Sequence, residues 1–187
     1  IMVIPLTLIH KNRIWLILPL SFAFLLTKSL GALLSSFLAL VIYFHLQGKL
    51  ERKRAVFLFG LLVTFCLVFM ARATTQKQHL QPIFSAVMRL NYWKDTLRMI
   101  KAKPLTGVGL GNFNLTLSRY AHNSYLQIWT EMGLSGIISI LLLIIVVFKS
   151  AFKNIKVSLN KNLLAGLITA NLSFLIHNLV DFSFFLP

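Results

Sequence analysis

Apolar residues run along the chain in long blocks, not in the alternation of strands. Residues 14–46 make a stretch of 33 largely apolar positions, broken at Thr27-Lys28-Ser29-Leu30-Gly31. One bilayer crossing takes about 20 such residues. The block therefore divides into an outbound helix, 14–27, and a returning helix, 30–46. A further span is expected over 55–71, another from about 124 to 148, and a last helix from 162 toward 187. Residues 1–9 are too short to span and read as the end of an earlier helix. The expected fold is all-α: a polytopic transmembrane bundle of about five spans, one membrane domain over 1–187. Residues 72–123 form one large external loop within it.

Charge orients this pattern. The short loops 10–13, 48–54 and 149–161 are all basic. Alternating spans place them on one face, which the positive-inside rule makes cytoplasmic. The segment 72–123 then lies outside, with eight cations and one acid, Asp95, so it attracts anions. The formal charge of +15 raises nucleic acid as a partner, but the cations sit in loops between apolar runs and form no soluble basic face. A chain that is 57% hydrophobic with four acids (Glu51, Asp95, Glu131 and Asp181) is no soluble domain. Cys66, alone in an apolar run, makes neither an intrachain disulfide nor a metal cluster and reads as a small hydrophobe in lipid. The chain starts at Ile1 and stops at Pro187, just after FSFFL, so a portion of a larger multi-pass protein is expected.

Within the external segment, Ala86, Leu90, Trp93, Leu97 and Ile100 recur at helical spacing, and Pro104 stops the helix. Tyr92 and Trp93 suit a membrane–water interface, so the helix is amphipathic and lies on or dips into the outer surface. At 100° per residue, Lys94, Arg98 and Lys101 share one arc, a solvated or headgroup-facing edge. Arg89 points nearly opposite Arg98. Its guanidinium either binds an anion through its bidentate fork or serves as a snorkelling or ion-paired side chain. The run TGVGLGNF, 106–113, follows no strand, which excludes a dinucleotide fingerprint. Its glycines serve a tight turn at the membrane surface, with backbone amides facing a phosphate as the alternative.

His122 and Asn123 stand at the lip of the next span. The imidazole is either an interfacial structural residue or a proton acceptor near neutral pH. Asn123 either orients it or binds a sugar hydroxyl. Glu131 is expected to face the protein interior, hydrogen-bonded or paired. In the last helix Asn171, His177, Asn178 and Asp181 share about a third of the circumference, and His177 can pair with Asp181 at i,i+4. They either mark a functional site or hold the bundle together. Nucleophile-elbow, zincin and Walker motifs are absent from the sequence.

These residues carry a resemblance. Arg89-x-x-Tyr92-Trp93, Met99-Ile100, Pro104-Leu105, Gly107-Val108-Gly109-Leu110-Gly111-x-Phe113, His122-Asn123-Ser124-Tyr125-Leu126-Gln127 and Glu131-x-Gly133-Leu134-x-Gly136 resemble the O-antigen ligase and polymerase family. So does the ending Leu179-Val180-Asp181-Phe182. The resemblance implies a multi-pass bacterial inner-membrane glycosyltransferase working at the periplasmic face. Its donor would be an undecaprenyl-diphosphate-linked glycan, and its acceptor a hydroxyl of a glycan or of lipid A core. It implies inversion at the anomeric carbon with neither nucleotide nor metal. Arg89 would bind the departing diphosphate, aided by Lys28, Arg98 or Arg119. His122 would activate the acceptor hydroxyl or orient the two substrates, Tyr92, Trp93 and Asn123 would line the substrate, and His177 and Asp181 would support the acceptor side. The sequence departs from the family at the outer turn, where the usual Ser-Arg-Gly is Ser29-Leu30-Gly31 and the nearest cation is Lys28. Ligase and polymerase both fit the residues, and a small-anion transporter is the alternative of another class.

Overall fold

The computed structural model describes residues 22, 29–48, 58–60, 62–67, 70, 84–115, 118–155 and 157–185. All of the expected outbound helix 14–27 except Phe22, together with Lys28 and most of the loop 48–54, lies outside these residues. The described chain is helical, and its sole strand-like pairing is the isolated bridge between Leu115 and Ser118. In chain order the named helices are α1 (Leu30–Leu46), α2 (Phe84–Ala102), α3 (Ser124–Asn154) and α4 (Lys161–His177), followed by a 3₁₀ turn, Ser183–Phe185. The chain divides into two compact units, 1–78 with 150–176, and 79–149 with 177–187.

In the first unit, α1 fills the expected span 30–46, and its start is fixed by Ser29, whose Oγ accepts from the Ala32 amide. Its buried face carries Ala32, Ser35, Ser36 and Ala39. Buried residues of α4 include Ala165, Thr169 and Ser173. Small side chains four residues apart allow close backbone approach where no hydrophobic contrast drives association. Cys66 is exposed in its apolar helical stretch.

In the second unit, the long apolar run after residue 123 forms α3, six residues longer than the expected end at 148. It is interrupted at Gly133, whose φ of 67° and ψ of −162° lie in a region open essentially to glycine alone. Residues 134–154 then rise about 31 Å, the thickness of a hydrocarbon core. Leu142, Leu143, Ile145 and Val146 are all more than half exposed, as a lipid-facing surface requires. Among the described residues α3 is the one helix long and apolar enough to cross a membrane. The described residues do not confirm the expected count of about five spans: α1 and the apolar stretch Leu58–Leu67 are shorter helices, and the expected span 14–27 lies almost wholly outside the described residues.

A helix break leaves carbonyls and amides without helical partners, and the glycine run supplies them. Val108 N donates to Thr130 O at 2.8 Å, Gly109 N donates to Glu131 O at 3.0 Å, and Leu134 N donates back to Leu105 O. The fit is close: a Cβ on Gly107 would stand 2.5 Å from the Glu131 carbonyl oxygen. One on Gly133 would overlap the Leu105 carbonyl. The run makes the tight turn expected of it. Its amides do not form a phosphate cradle, since those of Val108, Gly109 and Gly111 are taken by Thr130 and Glu131.

The last helix does not continue toward 187. It ends at His177, and the chain turns back across the start of α3. There the Ser124 amide donates to the carbonyls of Asn178 and Asp181. Asn178, fully buried, accepts through Oδ1 from Ser124 Oγ at 2.6 Å and from the Phe184 amide at 3.1 Å. These bonds satisfy the Asn178 side chain outside a helix and favour the turn.

Gly133→Ala should therefore lower the unfolding midpoint in detergent by the equivalent of about 2 kcal/mol or more, from forced backbone and lost docking. Gly60→Ala, on a helix with open space around it, should leave the midpoint unchanged or raise it. Equal shifts in the two variants would refute the docking argument. Asn178→Ala removes the acceptor shared by the Ser124 hydroxyl and the Phe184 amide, a loss of about 1–3 kcal/mol. Hydrogen exchange at the Phe184 amide should accelerate in that variant while exchange in the middle of α2 is unchanged.

Candidate active site

Arg89, Tyr92, Trp93, Arg98, Arg119, His122, Asn123, His177 and Asp181 all lie in the second unit. Helix α2 turns inward the face centred on Thr96 and Ile100, both buried. Arg89, Tyr92 and Trp93 flank that centre and are half-buried. The apolar stripe is thus divided: Ile100 and Trp93 pack inward, while Ala86, Leu90 and Leu97 remain exposed beside Lys94, Arg98 and Lys101. The arginines differ accordingly. Arg98 is exposed and paired with Asp95 at 2.7 Å. Arg89 makes no ion pair among the described residues.

His122 stands on the inward side of α2. Its ring stacks with Tyr92 (centroids 5.6 Å apart, planes at 22°) and meets Phe182 edge-on at 4.8 Å. Trp93 Nε1 donates to its carbonyl oxygen at 3.4 Å. His122 has a φ of 51°, a left-handed conformation that is uncommon outside glycine. The next residue explains the sharp corner. Asn123 Oδ1 accepts from the amides of Tyr125 and Leu126, which makes it the N-cap of α3. Its carbonyl oxygen is thus engaged with the backbone and does not reach toward the imidazole.

The electrostatics of the imidazole are defined. Burial lowers its pKa below 6.5, the nearby Arg89 guanidinium lowers it further, and Asp181 opposes in part. Nδ1 is enclosed and has no partner among the described residues. A doubly protonated ring would bury an unpaired N–H, so charging is costly on hydrogen-bond grounds too. Nε2 is the nitrogen left for proton exchange, and it accepts a proton only in the tautomer that carries the hydrogen on Nδ1. The ring is therefore neutral at pH 7, close to a cation.

Asp181 is the counterweight. It pairs with His177 Nε2 at 2.8 Å, as the i,i+4 spacing predicts, although the pairing is made across the turn and not along a helix. Burial pushes its carboxyl pKa up. The hydrogen bonds from His177 and the Phe182 amide, with the charges of His177 and Arg89, outweigh burial and hold it below the ordinary 3.8. Arg89, His122 and Asp181 thus share one electrostatic neighbourhood. Asn171 faces outward and donates to its own helix, so it belongs to no cluster.

Arg119 lies elsewhere in the unit, on an open cleft of about 760 Å³ lined also by Asn112, Asn114, Tyr120, Gln127, Glu131 and Phe185. Glu131 is buried, as expected, and its two oxygens accept from Gln127 Nε2 and the Gly111 amide. Gln127 in turn accepts from the Ala121 amide. Sequence reasoning assigned no role to Phe182, Tyr120 or Ser124. Phe182 packs against His122 and stacks on Tyr120 with centroids 4.3 Å apart. Aromatic residues in apolar surroundings carry no signal that separates such contacts from lipid-facing positions.

Lys28 is outside the described residues, so the site as described contains Arg89, Tyr92, Trp93, His122, His177 and Asp181. It offers an inward guanidinium without an ion pair, a neutral imidazole and a carboxylate–histidine pair. Together these can stabilise a departing anion and accept a proton. No curated protein and no solved structure matches the chain. A family model described as O-antigen ligase matches residues 15–141, about two thirds of the chain, including α2, the glycine run, His122 and the break in α3. The chain belongs to the O-antigen ligase family.

Proposed function

We propose that this protein is a membrane glycosyltransferase that moves a glycan from a polyprenyl diphosphate, undecaprenyl diphosphate in bacteria, onto an acceptor hydroxyl. The acceptor is a second glycan or a lipid A core sugar. The work takes place at the periplasmic face of the inner membrane, with 72–123 as the external segment of a multi-pass bundle. The observation that carries the reading is Arg89 turned inward, without an ion pair among the described residues, beside a neutral His122. A phosphoanhydride leaving group needs charge-assisted donors where its negative charge develops, and a guanidinium supplies two in one plane. The acceptor hydroxyl needs its proton removed as the new glycosidic bond forms, and a neutral imidazole is the side chain suited to that near pH 7. His122, in the tautomer that carries its hydrogen on Nδ1, takes the proton on Nε2 while the anomeric carbon–diphosphate bond breaks and the new glycosidic bond forms. Attack on the face opposite the leaving group inverts the anomeric centre. Asp181, held ionised by His177, stabilises the transient imidazolium. Charge neutralisation by Arg89 gives the reaction a route that calls for no metal.

The expected effects are steep. In inner-membrane vesicles supplied with a lipid-linked glycan donor, Arg89→Ala and His122→Ala should each lower turnover at least about a hundredfold. Arg89→Lys should fall in between, because an ammonium cannot reproduce the fork. Lys101→Ala, on the exposed edge of α2, should stay within about twofold. Normal turnover in both alanine variants would sink the mechanism.

The pH profile separates base from bystander. A base whose pKa is lowered loses activity as pH falls through a value below 6.5, so the acid limb should lie there. The same shift makes the fold less stable as pH drops below 6.5, because the unfolded chain binds the proton more readily. Low-pH turnover should therefore be compared with an unfolding measurement at the same pH. A profile in folded protein that shows no acid limb below pH 6.5, down to the pH where unfolding begins, would leave His122 as a hydrogen-bond donor only.

A further inference from the structure

The cleft on the other side of Tyr120 has no part in the chemistry above. Its volume of about 760 Å³ lies within the range of ligand clefts, roughly 300–1,000 Å³, and it is open to the surface, not enclosed. Its lining combines two kinds of surface. Asn112, Asn114, Gln127 and Glu131 present amide and carboxylate groups, while Phe113, Tyr120 and Phe185 present aromatic ones. Saccharides have this dual character, with hydroxyls around the ring and an apolar C–H face above it.

The polar wall is held rigid and still has capacity. Each Glu131 oxygen accepts one hydrogen bond, from Gln127 or from the Gly111 amide, and a carboxylate oxygen can accept a second. Gln127 Nε2 has a second N–H beyond the one given to Glu131. Glu131 and Gln127 are buried and fixed by the glycine run and the Ala121 amide, so the wall is preorganised. A fixed carboxylate disfavours a diphosphate, whose place is beside Arg89. Arg119 is the single cation of the lining, exposed at the rim.

The cleft is also joined to the reacting residues. Tyr120 lines it, Tyr120 stacks flat on Phe182 with planes at 7°, and Phe182 abuts the His122 ring. A sugar ring bound against Tyr120 would be two aromatic contacts away from the imidazole.

We propose that this cleft is a saccharide subsite that holds sugar residues of one of the two glycan substrates, with Asn114, Arg119 and Glu131 bonding hydroxyls and Tyr120 supporting a ring face. This assignment rests on the glycosyl-transfer reading for its biological sense, but binding is measured without transfer. The probes are two free oligosaccharide fractions without lipid diphosphate, released by mild acid from the host's lipid-linked glycan and from its acceptor glycan. Saturation-transfer NMR on the detergent-solubilised protein should show contact with one of them. Asn114→Trp, which fills the cleft from an exposed position, and Arg119→Ala should reduce the transfer several-fold and raise KM for that same substrate with little change in kcat. Arg89→Ala and His122→Ala should keep it, so a failed chemical mechanism and a failed subsite give different results. The fraction that responds identifies the donor or the acceptor as the occupant. Absence of transfer from both fractions to the unaltered protein, or undiminished transfer in Asn114→Trp and Arg119→Ala, would overturn the proposal.

Discussion

The second unit depends on how the break in α3 is closed. A helix that stops and restarts inside a sequence of membrane character must satisfy the backbone groups it frees. Here a neighbouring stretch of backbone does so, with Val108 and Gly109 donating to the last carbonyls before the break and Leu105 accepting from the first amide after it. Backbone can approach backbone this closely only without side chains, which is why Gly107 and Gly133 face each other's chains. The docking also aims Gly111 at Glu131, and through Gln127 it reaches the segment before His122. One junction thus fixes the wall of the cleft and the approach to the imidazole.

A second tie sets the other side of the site. The start of α3 needs partners for its free amides. Asn123 caps two of them, and the turn after α4 supplies two carbonyls to the Ser124 amide. Through this turn Asp181 and Phe182 come to lie beside His122, residues separated by more than fifty positions in sequence. The corner at His122, with its positive φ, is held by Tyr92, Trp93 and Phe182 together. Such backbone conformations persist where surrounding contacts over-determine them.

The chain uses its many cations in distinct ways. On α2, Lys94, Arg98 and Lys101 stay at an exposed edge beside apolar residues, the arrangement suited to lipid headgroups. Arg89 is turned into the protein, where partial desolvation strengthens its action on whatever lies beside it. That action already shows in its neighbours, lowering the pKa of both His122 and Asp181.

The sequence by itself determined the all-helical class, the span of α1, the start of α3 and the setting apart of Arg89 from the other cations of α2. These follow from local rules: apolar run length, capping residues and the angle per residue. The motif blocks also carried the family, because their order and spacing survive without any knowledge of contacts. The tertiary structure alone decided that α3 breaks at Gly133 and is sealed by the glycine run, since hydrophobicity reads continuously through the break. It alone ended the last helix at His177, because the buried bonds of Asn178 to Ser124 and Phe184 outweigh the helical propensity of an apolar run. And it alone assembled the cleft around Tyr120 and Glu131, since hydrogen bonds and ring contacts between distant segments depend on packing, which no local pattern encodes.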